Sequence, residues 1–345
     1  MTIDVRTLNR DDLDGAAHLL AQRHQADRTR TPALSTRYDH VDAVRPVLAK
    51  VLAQPAARGV IAVRNGSPAG YLIGSNALPP PTAWYAGYIA PRAGQIDYAG
   101  HAAPGDEGID VYRRLYAELA PYFLEHGCFV HYVEVNAGDD AALEAWYSLG
   151  FGQASTLAVR DTSSLHVDSD ALHPAVEVHQ AGPEDIEVVV KLNDDLLRHH
   201  SASPTFAPYL PETFADARAY QSQLLGDPTN AHWLAYQNGQ PVAMQTFDGQ
   251  NFAELARPEN GIYLFQGITT AEARGGGVGS AVLRRAIDWA RDAGYACITL
   301  HYLSPNVSGA RFWQRNGFRP IAYTLVRRID ERIAWAQPRP LIPSP

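Results

Sequence analysis

The sequence predicts an α+β fold, a three-layer α/β/α arrangement with helices on a mixed sheet, built twice in tandem. Three observations carry this expectation. The chain has 345 residues with a hydrophobic share of 46%, enough for two cores. A repeat appears at a spacing of about 167 residues. Within each copy, strand-length and helix-length patterns alternate.

The repeat is read most directly near the end of each copy. Gly127-Cys128-Phe129-Val130-His131-Tyr132-Val133-Glu134-Val135 runs on to Ala145-Trp146-Tyr147-Ser148-Leu149-Gly150-Phe151. Gly294-Tyr295-Ala296-Cys297-Ile298-Thr299-Leu300-His301-Tyr302 runs on to Phe312-Trp313-Gln314-Arg315-Asn316-Gly317-Phe318, with glycine, tryptophan and Gly-Phe in register. The preceding helices match too: Tyr112, Leu115, Tyr116, Leu119, Tyr122 and Phe123 form a stripe of period 3.6, as do Gly279, Val282, Leu283, Ala286, Trp289 and Ala290. Upstream, Asn65-Gly66 and Asn238-Gly239 each divide two strand-like runs, the signature of a type I′ hairpin. The openings also correspond, Val5-Arg6-Thr7-Leu8 before Asp11-Asp12-Leu13 and Val178-His179-Gln180-Ala181 before Glu184-Asp185-Ile186. The expected units are residues 1–160 and 175–336. The polar stretch Arg160 to Pro174 is the expected linker, and 337–345, with four prolines, an extended or disordered tail.

A net charge of -8 and the lack of a basic, aromatic-studded run exclude nucleic acid as an obligatory partner. The longest apolar runs are strand-length, so no membrane span is expected. Met1 to Arg6 enters an acidic, alternating stretch without a signal-peptide core, and Cys128 and Cys297 lack metal-ligand spacing. Two buried thiols in a cytoplasmic protein are expected.

The chemistry concentrates in one loop. The strand Tyr263-Leu264-Phe265-Gln266-Gly267-Ile268 leads to Arg274-Gly275-Gly276-Gly277-Val278-Gly279-Ser280 and then an amphipathic helix. Glycines let successive N–H groups point inward at an anion, the helix N-terminus adds partial positive charge, and the arginine adds a full one. A diphosphate suits such a loop. A Walker loop would need Gly-Lys-Ser/Thr at its end, and the dinucleotide fingerprint would need glycine at Ser280 or Val282. Neither condition is met.

Arg274-x-x-Gly277-x-Gly279 resembles the acetyl-CoA signature of the GCN5-related N-acetyltransferase (GNAT) superfamily, and the resemblance covers roughly Val176 to Asp330. It implies two tandem GNAT-like domains and acetyl-CoA as co-substrate. It also implies a bulged strand whose Gly267, Ile268 and Thr269 bond the pantetheine arm, pyrophosphate contacts from Gly275 to Ser280, and a cofactor contact from Asn306. Four residues before the closing glycine, where many members carry an acidic tyrosine, this chain has Trp313 and its first copy Trp146, and indole is no acid. The positions where relatives hold a glutamate base are His301 and Tyr263 here. His301 is the first candidate base because imidazole titrates near neutrality, and Tyr263 is a candidate relay or acid. Each also reads as an ordinary strand residue. Tyr302 should face away from His301.

In the first copy, Glu107, Asp110 and Tyr112 align with Arg274, Gly277 and Gly279, and acids there repel a diphosphate. That copy reads as degenerate, a buttress of the active half or a part of its substrate cleft, with a relic as the alternative; its Glu134 aligns with His301. By the resemblance, Leu196 to His200 and Thr205 to Tyr209, with His24 to Arg30 as counterpart, correspond to an acceptor wall, as pocket or as plain surface loop. His199 and His200 have no third ligand, so no metal is expected. The leading expectation is acetyl transfer to a primary amine of a small molecule or peptide in a ternary complex. A non-catalytic acyl-CoA-binding regulatory or scaffold module and a longer-chain acyltransferase stand as alternatives.

Overall fold

The computed structural model describes residues 3–83, 85–103, 108–164, 176–213, 217–249 and 253–336. The first half contains β1 (Asp4–Thr7), α1 (Leu13–Arg30), α2 (Val41–Leu52), β2 (Arg58–Arg64), β3 (Ser67–Ala77), β4 (Ala93–Ile96), β5 (His101–Ala102), α3 (Gly108–Glu125), β6 (Val130–Asn136), α4 (Asp140–Ser148) and β7 (Gly152–Asp161). The second half repeats most of this plan: β8 (Val176–Gln180), α5 (Ile186–Ser201), α6 (Ala217–Gly226), β9 (Ala231–Gln237), β10 (Gln240–Asp248), β11 (Gly261–Thr269), α7 (Val278–Asp292), β12 (Cys297–Leu303), α8 (Val307–Arg315) and β13 (Arg319–Arg328).

Local chemistry accounts for these elements. Asn65 and Gly66 have φ of 50° and 80°, and Asn238 and Gly239 of 52° and 72°, the left-handed pair that a type I′ turn requires. The α7 stripe Val278, Val282, Leu283, Ala286, Ile287 and Ala290 is buried against β9 to β12. In α3, Val111, Leu115, Leu119 and Phe123 do the same over β2, β3 and β6.

The described strands form one mixed sheet in the order β1-β2-β3-β4-β6-β13-β7-β12-β11-β10-β9-β8, with β5 beside β3 and helices on both faces. Only β4 with β6 and β11 with β12 run parallel. The centre of the sheet is an exchange. β7, from the first half, pairs with β12 of the second from Asp161↔Cys297 to Ser155↔Leu303. β13, from the second half, pairs with β6 of the first from Arg328↔Val130 to Ala322↔Asn136. β7 and β13 then pair antiparallel, and Thr156 faces Tyr323, positions that the repeat makes equivalent. The pseudo-twofold axis passes between them.

The exchanged strands carry their own fastenings. Arg160 on β7, 1% exposed, donates to the Asn316 carbonyl at the end of α8 and to Ser164 O at 2.7 Å. A cation there offsets the unpaired carbonyls of the helix C-terminus. Its counterpart Arg327 on β13 lies over the Tyr116 ring of the first half, 5.6 Å from its centroid.

Three expectations are corrected. Arg160 and Asp161 end strand β7 and are not linker. His24 to Arg30 is the last part of α1, with His24 and Asp27 fully buried, and not an acceptor loop. Leu196 to His200 belongs to α5, and only Thr205 to Tyr209 is irregular. Residues 165–174 of the expected linker, the tail 337–345 and Glu107 lie outside the described residues. Among the described residues no helix is long and apolar enough to cross a membrane.

Candidate active site

The site begins with a slip in the sheet. Between β10 and β11 the register jumps from Thr246↔Gln266 to Phe247↔Leu264, leaving Phe265 as the extra residue of a β-bulge. The bulge reverses which face each side chain takes. Ile262 and Leu264 pack with α7, whereas Gln266 meets Asn193 of α5 and Ile268 packs with Val189 and Leu192. Pairing of β11 with β12 stops at Leu264↔Leu300, so the strands splay and the β11 edge from Phe265 to Thr269 faces a cavity of about 1140 Å³.

At one end of the cavity stands the glycine loop. Gly275 and Gly277 have φ of +78° and +75°, and Gly277 is the N-cap of α7 without a capping side chain. The first turn of α7 therefore presents unpaired N–H groups and the positive helix end. Gln245 Nε2 holds that turn through Gly279 O at 3.3 Å, and Arg274 Nε donates to Thr269 O at 3.0 Å. Arg274, Gly275, Gly277, Val278, Gly279 and Ser280 line the cavity; Gly276 does not. A Cβ on Gly279 would sit 3.1 Å from Thr269 Oγ1 and 3.2 Å from the Phe312 ring, a tight fit that glycine avoids.

Tyr263 and His301 meet across the splay, Oη to Nδ1 at 2.9 Å, in a hydrogen bond whose direction follows the ring tautomer. Burial pushes His301 down to about 4, so the imidazole is neutral at pH 7 and a weak base. Burial also raises Tyr263, which keeps its proton. Tyr302 turns to the other face, its hydroxyl 3.4 Å from Gln314 Nε2. Gly267, Ile268 and Thr269 line the cavity beside the loop. Asn306 lines it too, but its Oδ1 is occupied as the N-cap of α8, accepting from Gly309 N at 3.1 Å and Ser308 Oγ at 3.0 Å. Trp313 is 8% exposed and packs edge-on against Phe318, as a core residue would, while touching the cavity.

The first half builds the rest of the wall. Tyr85, Tyr88 and Ile89, between β3 and β4, line the cavity, and Tyr88 Oη lies 3.1 Å from His200 Nδ1 of α5. Asp97, just after β4, and Glu134 on β6 line it as well. Burial raises both carboxyls, Glu134 to about 7 with the neighbouring Asp97 adding to the shift. No ion pair reaches either among the described residues, and the arginines on the cavity wall are Arg274 and Arg315. The sequence marked Glu134 only as an aligned orphan and was silent on Asp97. The strand exchange that brings both to this cavity has no local sequence signal.

The first half's own splay is filled. Arg23 of α1, 5% exposed, donates to Tyr98 O at 2.6 Å and to His101 O, and pairs with Asp27 at 3.3 Å. His101 Nε2 meets Glu134 O at 2.8 Å across the gap, and its Nδ1 meets Tyr112 Oη at 2.9 Å. A guanidinium thus occupies the carbonyls that a pantetheine amide would need, and Tyr112 fills the place of the second loop glycine. Among the described residues no three His, Cys, Asp or Glu side chains form a metal-holding group.

Residues 194–318 match the family model described as the acetyltransferase (GNAT) family. That segment, about a third of the chain, is similar to a GNAT domain. No curated protein matches the chain. Among solved structures, a GCN5-related N-acetyltransferase from Sphaerobacter thermophilus superposes with a TM-score of 0.58 at 13% identity, covering 94% of this chain and 95% of that one. A glucosamine N-acetyltransferase region of a fungal multi-domain GH3 β-N-acetylglucosaminidase superposes with a TM-score of 0.56 at 15% identity, over 94% of this chain and 38% of that chain. At such identities these likenesses establish the GNAT fold over both halves. Family and fold together support acyl-CoA-dependent N-acyl transfer in general.

Proposed function

We propose that the chain is a cytoplasmic acetyl-CoA-dependent N-acetyltransferase acting on a primary amine of a small molecule or peptide by direct transfer in a ternary complex. Residues 175–336 are the catalytic domain in this reading, and 1–160 a degenerate copy recruited as acceptor wall. The observation that carries it is the meeting, in one cavity, of an uncapped glycine-flanked helix N-terminus with the Tyr263–His301 pair. The diphosphate seats on residues 274–280, the pantetheine amides pair with the free edge at Gly267 to Thr269, and backbone N–H groups polarise the thioester carbonyl. Tyr263 and His301 act as a hydrogen-bonded relay at the attacking amine. Free, buried Cys128 and Cys297 fit a reducing compartment.

The test is release of free CoA thiol over a panel of amines, including amino sugars, polyamines and peptides, with acetyl-, propionyl- and longer acyl-CoA. Micromolar acetyl-CoA binding with no turnover on any amine would favour a CoA-binding module, a reading supported by the packed Trp313 at the position of the family's acid. Tyr263→Phe and His301→Ala are expected to lower kcat about 10- to 100-fold with the acetyl-CoA Kd unchanged. Because His301 sits at about 4, its removal should scale the rate by one factor at every pH above about 5. A loss confined to one pH limb would contradict the neutral-ring assignment.

Glu134 accepts from Tyr98 N at 3.2 Å and Asp97 from Gln54 Nε2 at 3.3 Å, but no cation pairs with either carboxyl among the described residues, which favours a cationic acceptor. Glu134 loses its charge as pH falls through about 7, so KM for a cationic amine should rise on that side. Glu134→Gln is expected to raise KM roughly tenfold, by the worth of one charged hydrogen bond, and to flatten that pH dependence. Steady-state kinetics between pH 6 and 9 checks both.

A further inference from the structure

We propose that Asp248 of β10 seats the acceptor ammonium and takes its proton, making it the base of the transfer; this rests on the acetyltransferase reading above. Asp248 ends β10 and is the register partner of Tyr263, so both side chains leave the same face of the sheet. With His301 they form a row across β10, β11 and β12 along the cavity floor. The Oδ1 of Asp248 is buried without a hydrogen-bond partner among the described residues, and no arginine, lysine or histidine pairs with the carboxylate there. The titratable groups that face it are the Tyr220 hydroxyl from α6 and the Tyr263 hydroxyl from β11.

A second orphan acceptor shares the cavity. Gln221, next to Tyr220 on α6, is 1% exposed. Its Nε2 donates to Gln266 Oε1 at 3.1 Å, and Gln266 Nε2 donates onward to Asn193 Oδ1. The amide chain thus runs in one direction and leaves Gln221 Oε1 unsatisfied on the cavity wall. Gln245 Oε1 is a third, and three buried acceptors with nothing to accept among the described residues call for a ligand rich in donors, such as a primary ammonium. Burial holds Asp248 at about 7, so it is half ionised where an acetyltransferase works and is a stronger base than His301.

The step balances without another reagent. The ammonium gives one proton to Asp248 Oδ1 and becomes a neutral amine. Its lone pair forms the N–C bond at the thioester carbonyl, and the C–S bond breaks with its electron pair on sulfur. The second amine proton passes to the thiolate, yielding amide and CoA thiol, and Asp248 returns its proton to solvent.

Two measurements decide the assignment. In protein labelled with 13C at the aspartate carboxyl, one resonance should titrate near 7 and vanish in Asp248→Asn. With the amine that the wild type acetylates best, Asp248→Asn should lower kcat about 100-fold at pH 7 and lose the acidic limb of the kcat profile, which a KM effect of Glu134 does not touch, with Asp248→Glu restoring part of both and acetyl-CoA affinity unchanged. An Asp248 resonance titrating below about 5, or an asparagine variant that keeps rate and limb, overturns the role of Asp248 and leaves the transferase reading intact. A wild type that acetylates no amine overturns the transferase reading and, with it, the catalytic role, whatever Asp248 titrates at. Should the asparagine variant not fold, the wild-type titration and the glutamate variant carry the same decision.

Discussion

Gly277→Asp is expected to weaken acetyl-CoA binding by two to three orders of magnitude while leaving the fold in place. Three effects act together. At φ +75° any side chain strains the backbone by about 1 kcal/mol. Because position 277 is the N-cap of α7, an aspartate would accept from the N–H groups of the first turn, the donors a diphosphate needs. The carboxylate also repels the phosphates at close range, a further cost of about 1–2 kcal/mol. Together these come to roughly 3–4 kcal/mol, or about 10²- to 10³-fold. Gly277→Ala isolates the strain and should lose only about tenfold. Titration calorimetry with acetyl-CoA compares the two variants, and a matching melting temperature excludes unfolding. If the aspartate variant binds as tightly as the alanine variant, the diphosphate does not sit on this turn.

That loop was legible because its chemistry is local: glycines, an arginine and a helix start lie within seven consecutive positions. The hairpins were legible for the same reason, since Asn-Gly dictates its own backbone. The row Asp248–Tyr263–His301 was not. Its members lie on three strands, and a single bulge at Phe265 decides which neighbours share their face. Periodicity read along β11 without that bulge puts Gln266 and Ile268 on the α7 side, the wrong one. The plugging of the first half was hidden differently. Arg23 sits in a helix whose sequence looks merely polar, and its value comes from carbonyls of Tyr98 and His101 some 75 residues on. The counterpart loop expected at His24 to Arg30 failed for this reason, because Asp27 is a buried partner of that arginine and extends the helix.

The strand exchange leads to the other large effect. Produced together as two polypeptides, 1–164 and 175–345, the halves should co-purify through a tag on either one and consume acetyl-CoA together, whereas neither should do so alone. β7 is held by β12 and β13, and β13 by β6 and β7, so three antiparallel ladders cross between the halves. At about 1 kcal/mol net per hydrogen bond, this many ladder bonds outweigh the entropy of joining two chains, before the buried Arg160 clamp is counted. A solitary 175–345 has only β13 to cover the edge of β12, and Arg327 would have to take Arg160's place at the end of α8. Even if it folds that way, it lacks Tyr88, Asp97 and Glu134, and the cavity stands open on the acceptor side. Sequence patterning cannot choose between the closed and exchanged pairings, because β7 and β13 are equivalent strands with similar apolar alternation, and either fits either edge. Gel filtration in native buffer decides the matter: halves that separate at micromolar concentration would mean that each has closed on its own last strand.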